Sequence, residues 1–220
     1  METCSIATLV HGEYLVEPAA GPAAEGSSSP LLVGFHGYGE TAHEHLAELR
    51  KIPGNEAWTL CAVQALHPFY RRSEGQVVRS WMTKEHRELT IEDNIRYVIG
   101  VVAQVRSRFG ADRRLVFSGF SQGVAMAWRA AVRCGLPCDG VMVLAGDVPT
   151  EIPAWSGGKV PPVLLGRGLK DSWYGEGKMH QDLELLQGLG ASITTCVFDD
   201  GHVFHAEYHA AAGRFLAARI

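Results

Sequence analysis

From Leu31 onward, short uninterrupted apolar runs alternate with longer stretches of helical period. That alternation points to a buried parallel sheet wrapped by helices. The runs Leu31 to Phe35, Thr59 to Ala65, Leu115 to Phe117, Val141 to Leu144, Val163 to Leu165 and Ile193 to Phe198 read as strands. From Leu89 to Phe109, apolar residues recur at Ile95, Val98, Ile99, Val102, Val105 and Phe109, the spacing of one helix face, with Thr90 as its cap and Asp93 three residues on. Gln122 to Val132, His180 to Leu189 and Ala206 to Ala218 read as further helices. This alternation of strands and helices is that of a doubly wound α/β sheet, in which ligands bind beyond the carboxyl ends of the strands. Ahead of it, Ile6 to Val10 and Tyr14 to Val16 flank His11-Gly12 and read as a hairpin over about residues 5–17. The Ala, Gly, Ser and Pro-rich segment 18–30 reads as a flexible loop, too short to be a linker between domains, so a single domain is expected over 1–220.

Composition excludes several classes of function. With 46% apolar and 20% charged residues, the 220-residue chain can bury a sizeable core. A net charge of −4 gives no broad basic field, so no nucleic-acid partner is expected. The longest uncharged apolar stretches fall well short of the roughly 20 residues a membrane helix needs, so no membrane span is expected. The start Met1-Glu2-Thr3-Cys4 has neither the positive charge nor the apolar run of a secretory signal, which leads to the expectation of a cytoplasmic protein. Cys4, Cys61, Cys134, Cys138 and Cys196 are odd in number and scattered, and read as reduced thiols.

The sharpest local signal is Gly119-Phe120-Ser121-Gln122-Gly123, set between an expected strand and an expected helix. A serine on a strained strand-to-helix turn is exposed to attack a carbonyl, and glycines two positions to either side let neighbouring backbone pack against it. A serine hydroxyl needs a base, and the base needs a carboxylate to orient it. His202 follows the last strand in Asp199-Asp200-Gly201-His202, with His205 its rival three residues later. For the acid, Asp171 lies six residues past the strand ending at Leu165, and Asp147, after the strand ending at Leu144, competes with it. Asp199 and Asp200 stand too near His202 and read as turn residues. His43, His45, His86, His180 and His209 read as solvated bystanders. The loop His36-Gly37-Tyr38-Gly39, after the first strand, can aim the Tyr38 N–H at a developing oxyanion, partnered by the N–H of Gln122 after the serine.

These motifs give the chain a resemblance to the phospholipase/carboxylesterase group of small α/β-hydrolases, which includes acyl-protein thioesterases and bacterial carboxylesterases. The resemblance runs from about Pro30 to the C-terminus and is carried by F-H-G-Y-G-E at 35–40, G-F-S-Q-G at 119–123, R-G-L-K-D at 167–171 and D-G-H at 200–202. It implies a mostly parallel sheet with helices on both faces, no large cap domain, a triad of Ser121, Asp171 and His202, and neither metal nor organic cofactor. The chain departs from the family pattern at Arg167-Gly168, where His-Gly is usual, at Trp173-Tyr174 after the acid, and at Gly146-Asp147-Val148-Pro149.

Substrate choice is expected in the loop from His67 to Glu88, longer than a typical strand-to-helix connection. Trp81 resembles the family's site-facing tryptophan and reads as an acyl-pocket wall, and His36, Gly37 and Trp173 complete the expected substrate contacts, with Tyr174 beside Trp173. Arg71, Arg72 and Arg79 read either as a solvated face or as an attraction for an anionic substrate. The expected activity is a serine carboxylesterase acting on an ester or thioester of a small acyl group, with a homodimer compatible. Its alternatives are a lysophospholipase or acyl-protein thioesterase, a dienelactone hydrolase-like enzyme or small peptidase, and a hydrolase fold used only for binding.

Overall fold

The computed structural model describes residues 1–20, 28–71, 75–157 and 159–220. In chain order the elements are β1 (Tyr14–Glu17), β2 (Ser29–Phe35), α1 (Ala42–Leu49), β3 (Thr59–Val63), β4 (His67–Tyr70), β5 (Val77–Ser80), α2 (Arg87–Phe109), β6 (Ala111–Phe120), α3 (Gln122–Arg133), β7 (Gly140–Leu144), α4 (Ile152–Trp155), β8 (Val163–Gly168), α5 (Glu176–Gly188), β9 (Ile193–Phe198) and α6 (Ala206–Ala217). Among the described residues, seven strands form one sheet in the order β1-β3-β2-β6-β7-β8-β9, parallel throughout except for β1, which runs antiparallel to β3.

Alternation along each strand feeds two cores. Leu31, Val33 and Phe35 of β2 face the layer of α2, α3 and α5, where Val98, Val102, Val124, Ala127 and Leu186 are buried. Leu32 faces the other way, toward α1 and α6, with Leu46, Leu49, Tyr208 and Leu216. Both sides of β2 are therefore apolar, which explains why its sequence shows a continuous run rather than an alternating one. Each such Leu, Val or Phe contributes about 1.5–3 kcal/mol when fully buried.

Several expectations are corrected. The first limb of the N-terminal hairpin is absent: residues 1–13 form no strand, and Ile6 and Leu9 are almost fully exposed. β1 instead pairs with β3, whose wholly buried run is the stronger partner for an edge strand. The expected flexible loop lies mostly outside the described residues, with Ser29 and Pro30 already in β2. α2 starts at Arg87 after His86 at φ 47°, so Thr90 lies inside the helix and does not cap it. His45 and His209 are buried, not solvated, because α1 and α6 turn those positions toward the sheet.

The segment expected to be a substrate loop is a hairpin of β4 and β5. It braces the loop after β2. The Gly39 N–H donates to the Arg79 carbonyl at 2.9 Å, the Arg79 N–H to the Glu40 carbonyl at 3.1 Å, and an Arg71 amine to the Gly39 carbonyl at 2.5 Å. Tyr38 stacks on Phe69 with ring centres 5.0 Å apart.

Candidate active site

The turn from β6 into α3 places Ser121 at φ 52°, ψ −118°, outside the conformations an L-residue adopts without strain. Its backbone is clamped: the Ser121 N–H donates to the Leu144 carbonyl at 2.9 Å, and its carbonyl accepts from the Val124 N–H at 3.0 Å. The flanking glycines are required by contact. A Cβ on Gly119 would stand 2.4 Å from the Gly123 carbonyl oxygen, and one on Gly123 would stand 2.0 Å from that of Phe35. Neither obstacle is a side chain that can swing away. Gly123→Ala is accordingly expected to lower unfolding free energy by about 3 kcal/mol or more, the size of a forced core clash with backbone shift. Urea denaturation followed by circular dichroism checks this, and an unchanged midpoint would contradict the packing.

Three side chains from different strand ends meet at this turn. The Ser121 hydroxyl donates to His202 Nε2 at 2.8 Å, and His202 Nδ1–H donates to Asp171 Oδ2 at 2.8 Å. The second carboxylate oxygen of Asp171 accepts the N–H groups of Trp173 and Tyr174 at 2.8 and 2.9 Å. This side chain is fully buried, with three donors holding its negative charge. The approach of the two loops depends on Gly168, where a Cβ would stand 2.2 Å from the carbonyl oxygens of Asp200 and Gly201. There the Leu169 and Lys170 N–H groups donate to Phe198 and Asp200 at 2.8 Å each. Neither rival bonds to this relay. His205 caps α6 by accepting the Glu207 N–H, and Asp147 pairs with Lys178 at 3.3 Å.

A cavity of about 800 Å³ opens beside the serine, lined among others by Tyr38, Ser121, Gln122, Ala125, Val148, Pro149, Trp173 and His202. Its far wall holds Arg129, buried and bound through two nitrogens to Glu151, which also pairs with Arg87 at 3.0 Å. Trp173 is 65% exposed and lines the cavity. His36, Gly37 and Trp81 do not line it. Trp81 is wholly buried, its indole N–H donating to the His36 carbonyl at 2.8 Å and its ring set edge-on against Phe35. His36 is equally buried, with Nε2 accepting the Ala65 N–H at 3.1 Å, and burial pushes its pKa down to about 4. The Gly37 N–H is occupied by Glu40 Oε2 at 2.7 Å. These three residues pack beneath the loop that follows β2 and do not line this cavity. Tyr174 is likewise buried, its hydroxyl donating to Asp182 at 2.7 Å. Burial raises the Asp182 pKa to about 6, and the same carboxylate accepts the Val148 N–H at 3.1 Å, tying the cavity rim to α5. Of the three arginines, Arg71 and Arg79 brace backbone and do not line the cavity, and Arg72 lies outside the described residues.

Sequence reasoning misses Arg87, Arg129 and the segment from Val148 to Thr150 as lining residues. One signal for them exists: Gln122, Ala125 and Arg129 recur at i, i+3 and i+7, the spacing of a single helix face. Gln122 does more than follow the serine. Its side-chain oxygen accepts the Trp81 N–H at 2.8 Å and its amide nitrogen donates to the Met82 carbonyl at 2.9 Å, fastening the end of the β4–β5 hairpin to α3. Among the described residues there is no cluster of side chains able to hold a metal ion, and no helix is long and apolar enough to cross a membrane.

The architecture is similar to that of solved esterases and thioesterases. Esterase PE8 superposes with a TM-score of 0.77 at 21% identity, covering 96% of this chain and 100% of that one. The carboxylesterase of Bacillus cereus gives 0.72 at 14% identity, covering 95% of each chain. Acyl-protein thioesterase 2 of Zea mays gives 0.73 at 18%, covering 95% of this chain and 99% of that one. At such identities the likeness speaks for the α/β-hydrolase fold. Comparison with curated protein sequences gives no match. The phospholipase/carboxylesterase family model matches residues 22–217, nearly the whole chain, and the protein belongs to that family of hydrolases.

Proposed function

We propose that the protein is a serine carboxylesterase that cleaves esters or thioesters of short acyl groups through an acyl-enzyme. The observation that carries this reading is the unbroken relay from the Ser121 hydroxyl through His202 to Asp171, at 2.8 Å for each link. Ser121 Oγ attacks the acyl carbonyl while its proton passes to His202 Nε2. The buried Asp171 holds the ring and offsets the imidazolium charge that forms. The carbonyl oxygen, now negative, is met by the Tyr38 and Gln122 N–H groups, the second at the start of α3, where the helix dipole favours an anion. His202 then gives its proton to the departing alkoxide or thiolate. A water, deprotonated by the same ring, attacks the acyl carbon, and collapse returns the proton to Ser121 and releases the acid.

The cavity supports a short acyl group. Ala125, Val148 and Pro149 offer an apolar wall close to the serine, but along α3 the surface changes at Arg129, seven residues beyond Gln122 and so roughly 10 Å along the helix axis. An acyl chain extending that far would have to leave methylenes against a buried ion network, where each gives up some of the about 0.8 kcal/mol it gains in an apolar wall. With p-nitrophenyl esters of increasing acyl length, kcat/KM is expected to be highest for roughly two to six carbons and to fall for long chains. A steady climb into long chains would shift the reading to a lysophospholipase or acyl-protein thioesterase. A cysteine-based alternative has little support: burial raises the pKa of Cys61, Cys134 and Cys138, which keeps them as thiols.

A further inference from the structure

Arg87, at the start of α2, and Arg129, on α3, both line the cavity that holds Ser121, and both are bound to one carboxylate, that of Glu151. Arg129 Nε and Nη2 reach Glu151 Oε1 at 2.8 and 2.7 Å, and Arg87 Nη2 reaches Oε2 at 3.0 Å. Two positive charges thus share one negative charge. Their remaining partners add little. Among the described residues the acceptor for Arg129 Nη1 is the Met82 sulfur at 3.3 Å, and a thioether accepts weakly. Arg87 Nη1 stands 3.8 Å from Glu88, whose side chain is almost wholly exposed, and such a surface pair contributes little. Asp147 lines the same cavity, but it is paired with Lys178 at 3.3 Å, so those two charges offset each other. Burial pulls the Arg129 pKa below the usual guanidinium value, with Glu151 acting the other way. The wall between the serine and these cations is continuous, because Gln122, Ala125 and Arg129 lie on one face of α3 and all three line the cavity. Arg87 is the accessible member of the group. Its side chain is half-exposed, whereas Glu151 and Arg129 behind it are largely buried and hold its guanidinium in place.

We propose that Arg87, buttressed by Glu151 and Arg129, receives a carboxylate at the far end of the acyl group, so that the preferred substrates are half-esters or half-thioesters of short dicarboxylic acids. This rests on the esterase reading above and names its substrate class. The acyl carbonyl sits at Ser121, the methylenes run along Ala125, Val148 and Pro149, and the terminal carboxylate meets the guanidinium. An uncharged chain of the same length leaves a methyl group against a cation. A terminal carboxylate instead supplies the missing counter-charge through N–H···O bonds to an ionised donor, the stronger class of hydrogen bond. Because Glu151 already fixes the planar fork of Arg87, little side-chain freedom remains to be lost when the ligand binds.

The test uses p-nitrophenyl esters with one leaving group and acyl groups of one length: the adipate half-ester, which ends in a carboxylate; the adipamic ester, its neutral isostere; and the hexanoate, which ends in a methyl group. In the wild type, kcat/KM for the adipate half-ester is expected to exceed that for the adipamic ester by about tenfold, the scale of a hydrogen bond between charged groups at a half-exposed site. The hexanoate is expected to fall below the adipate half-ester as well. In Arg87→Gln the ratio of adipate to adipamic ester is expected to move to about one. Arg87→Lys keeps the charge but loses the planar fork, so it is expected to hold part of the ratio, and it carries the test alone should Arg87→Gln fail to fold. An adipate half-ester cleaved no faster than the adipamic ester, or a ratio unchanged in whichever variant folds, overturns the subsite. Failure to cleave p-nitrophenyl butyrate at all would instead overturn the esterase reading on which it rests.

Discussion

Ser121→Ala is expected to lower kcat for p-nitrophenyl butyrate by about 10⁶, the loss seen when the nucleophile of a serine hydrolase is removed, with the fold intact. The size of the effect follows from the geometry. In the proposed mechanism the hydroxyl is the one group of the relay that bonds to the acyl carbon, and what would survive its loss is binding and oxyanion stabilisation, together about 10³–10⁴ over water. The fold should tolerate the change because the turn is held by backbone bonds to Leu144 and Val124 and by the contacts of Gly119 and Gly123, none of which uses the hydroxyl. Steady-state kinetics and a thermal melt check both halves of this expectation.

The second large effect separates the two aspartates. Asp171→Asn is expected to cost about 10⁴ in kcat, because an amide nitrogen facing His202 Nδ1 stabilises the wrong tautomer and removes the charge that offsets the imidazolium. Asp147→Asn is expected to change kcat only severalfold, since Asp147 is half exposed, bound to Lys178 at 3.3 Å, and has no bond to His202. Asn is close to isosteric, so the comparison is not confounded by a cavity. Equal losses in the two variants, or a larger one at Asp147, would show that the earlier strand supplies the acid.

The features legible in the sequence are those governed by local chain chemistry. Continuous apolar runs mark the strands because both faces of each central strand are buried, and β9 is readable to the residue. Ser121, Asp171 and His202 are legible because each lies just past a strand end, with Gly119 and Gly123 around the serine and Gly168 ahead of the aspartate permitting close backbone approach. What is not legible depends on which way a side chain turns. Trp81 and His36 carry the polar atoms expected of a substrate contact, but spend them on each other and on Ala65 within the core. A strand-like run such as Ile6 to Val10 does not by itself make a strand: β1 pairs with β3 on one side, and its other edge, at the margin of the sheet, has no strand partner among the described residues. The cavity walls escape for the same reason, because residues 146–150 and Arg129 converge only once β7 and α3 have packed.

The central claim is that Ser121 is the residue acylated in turnover, and covalent labelling tests it most directly. A fluorophosphonate forms a stable bond to a serine oxygen only where a base removes its proton and donors receive the phosphoryl oxygen, the same demands the reaction makes. After incubation of the wild-type protein, peptide mass mapping is expected to find one adduct, on the peptide containing Ser121, with esterase activity lost in proportion to labelling. An adduct on any other residue, or full loss of activity with Ser121 unmodified, would contradict the account.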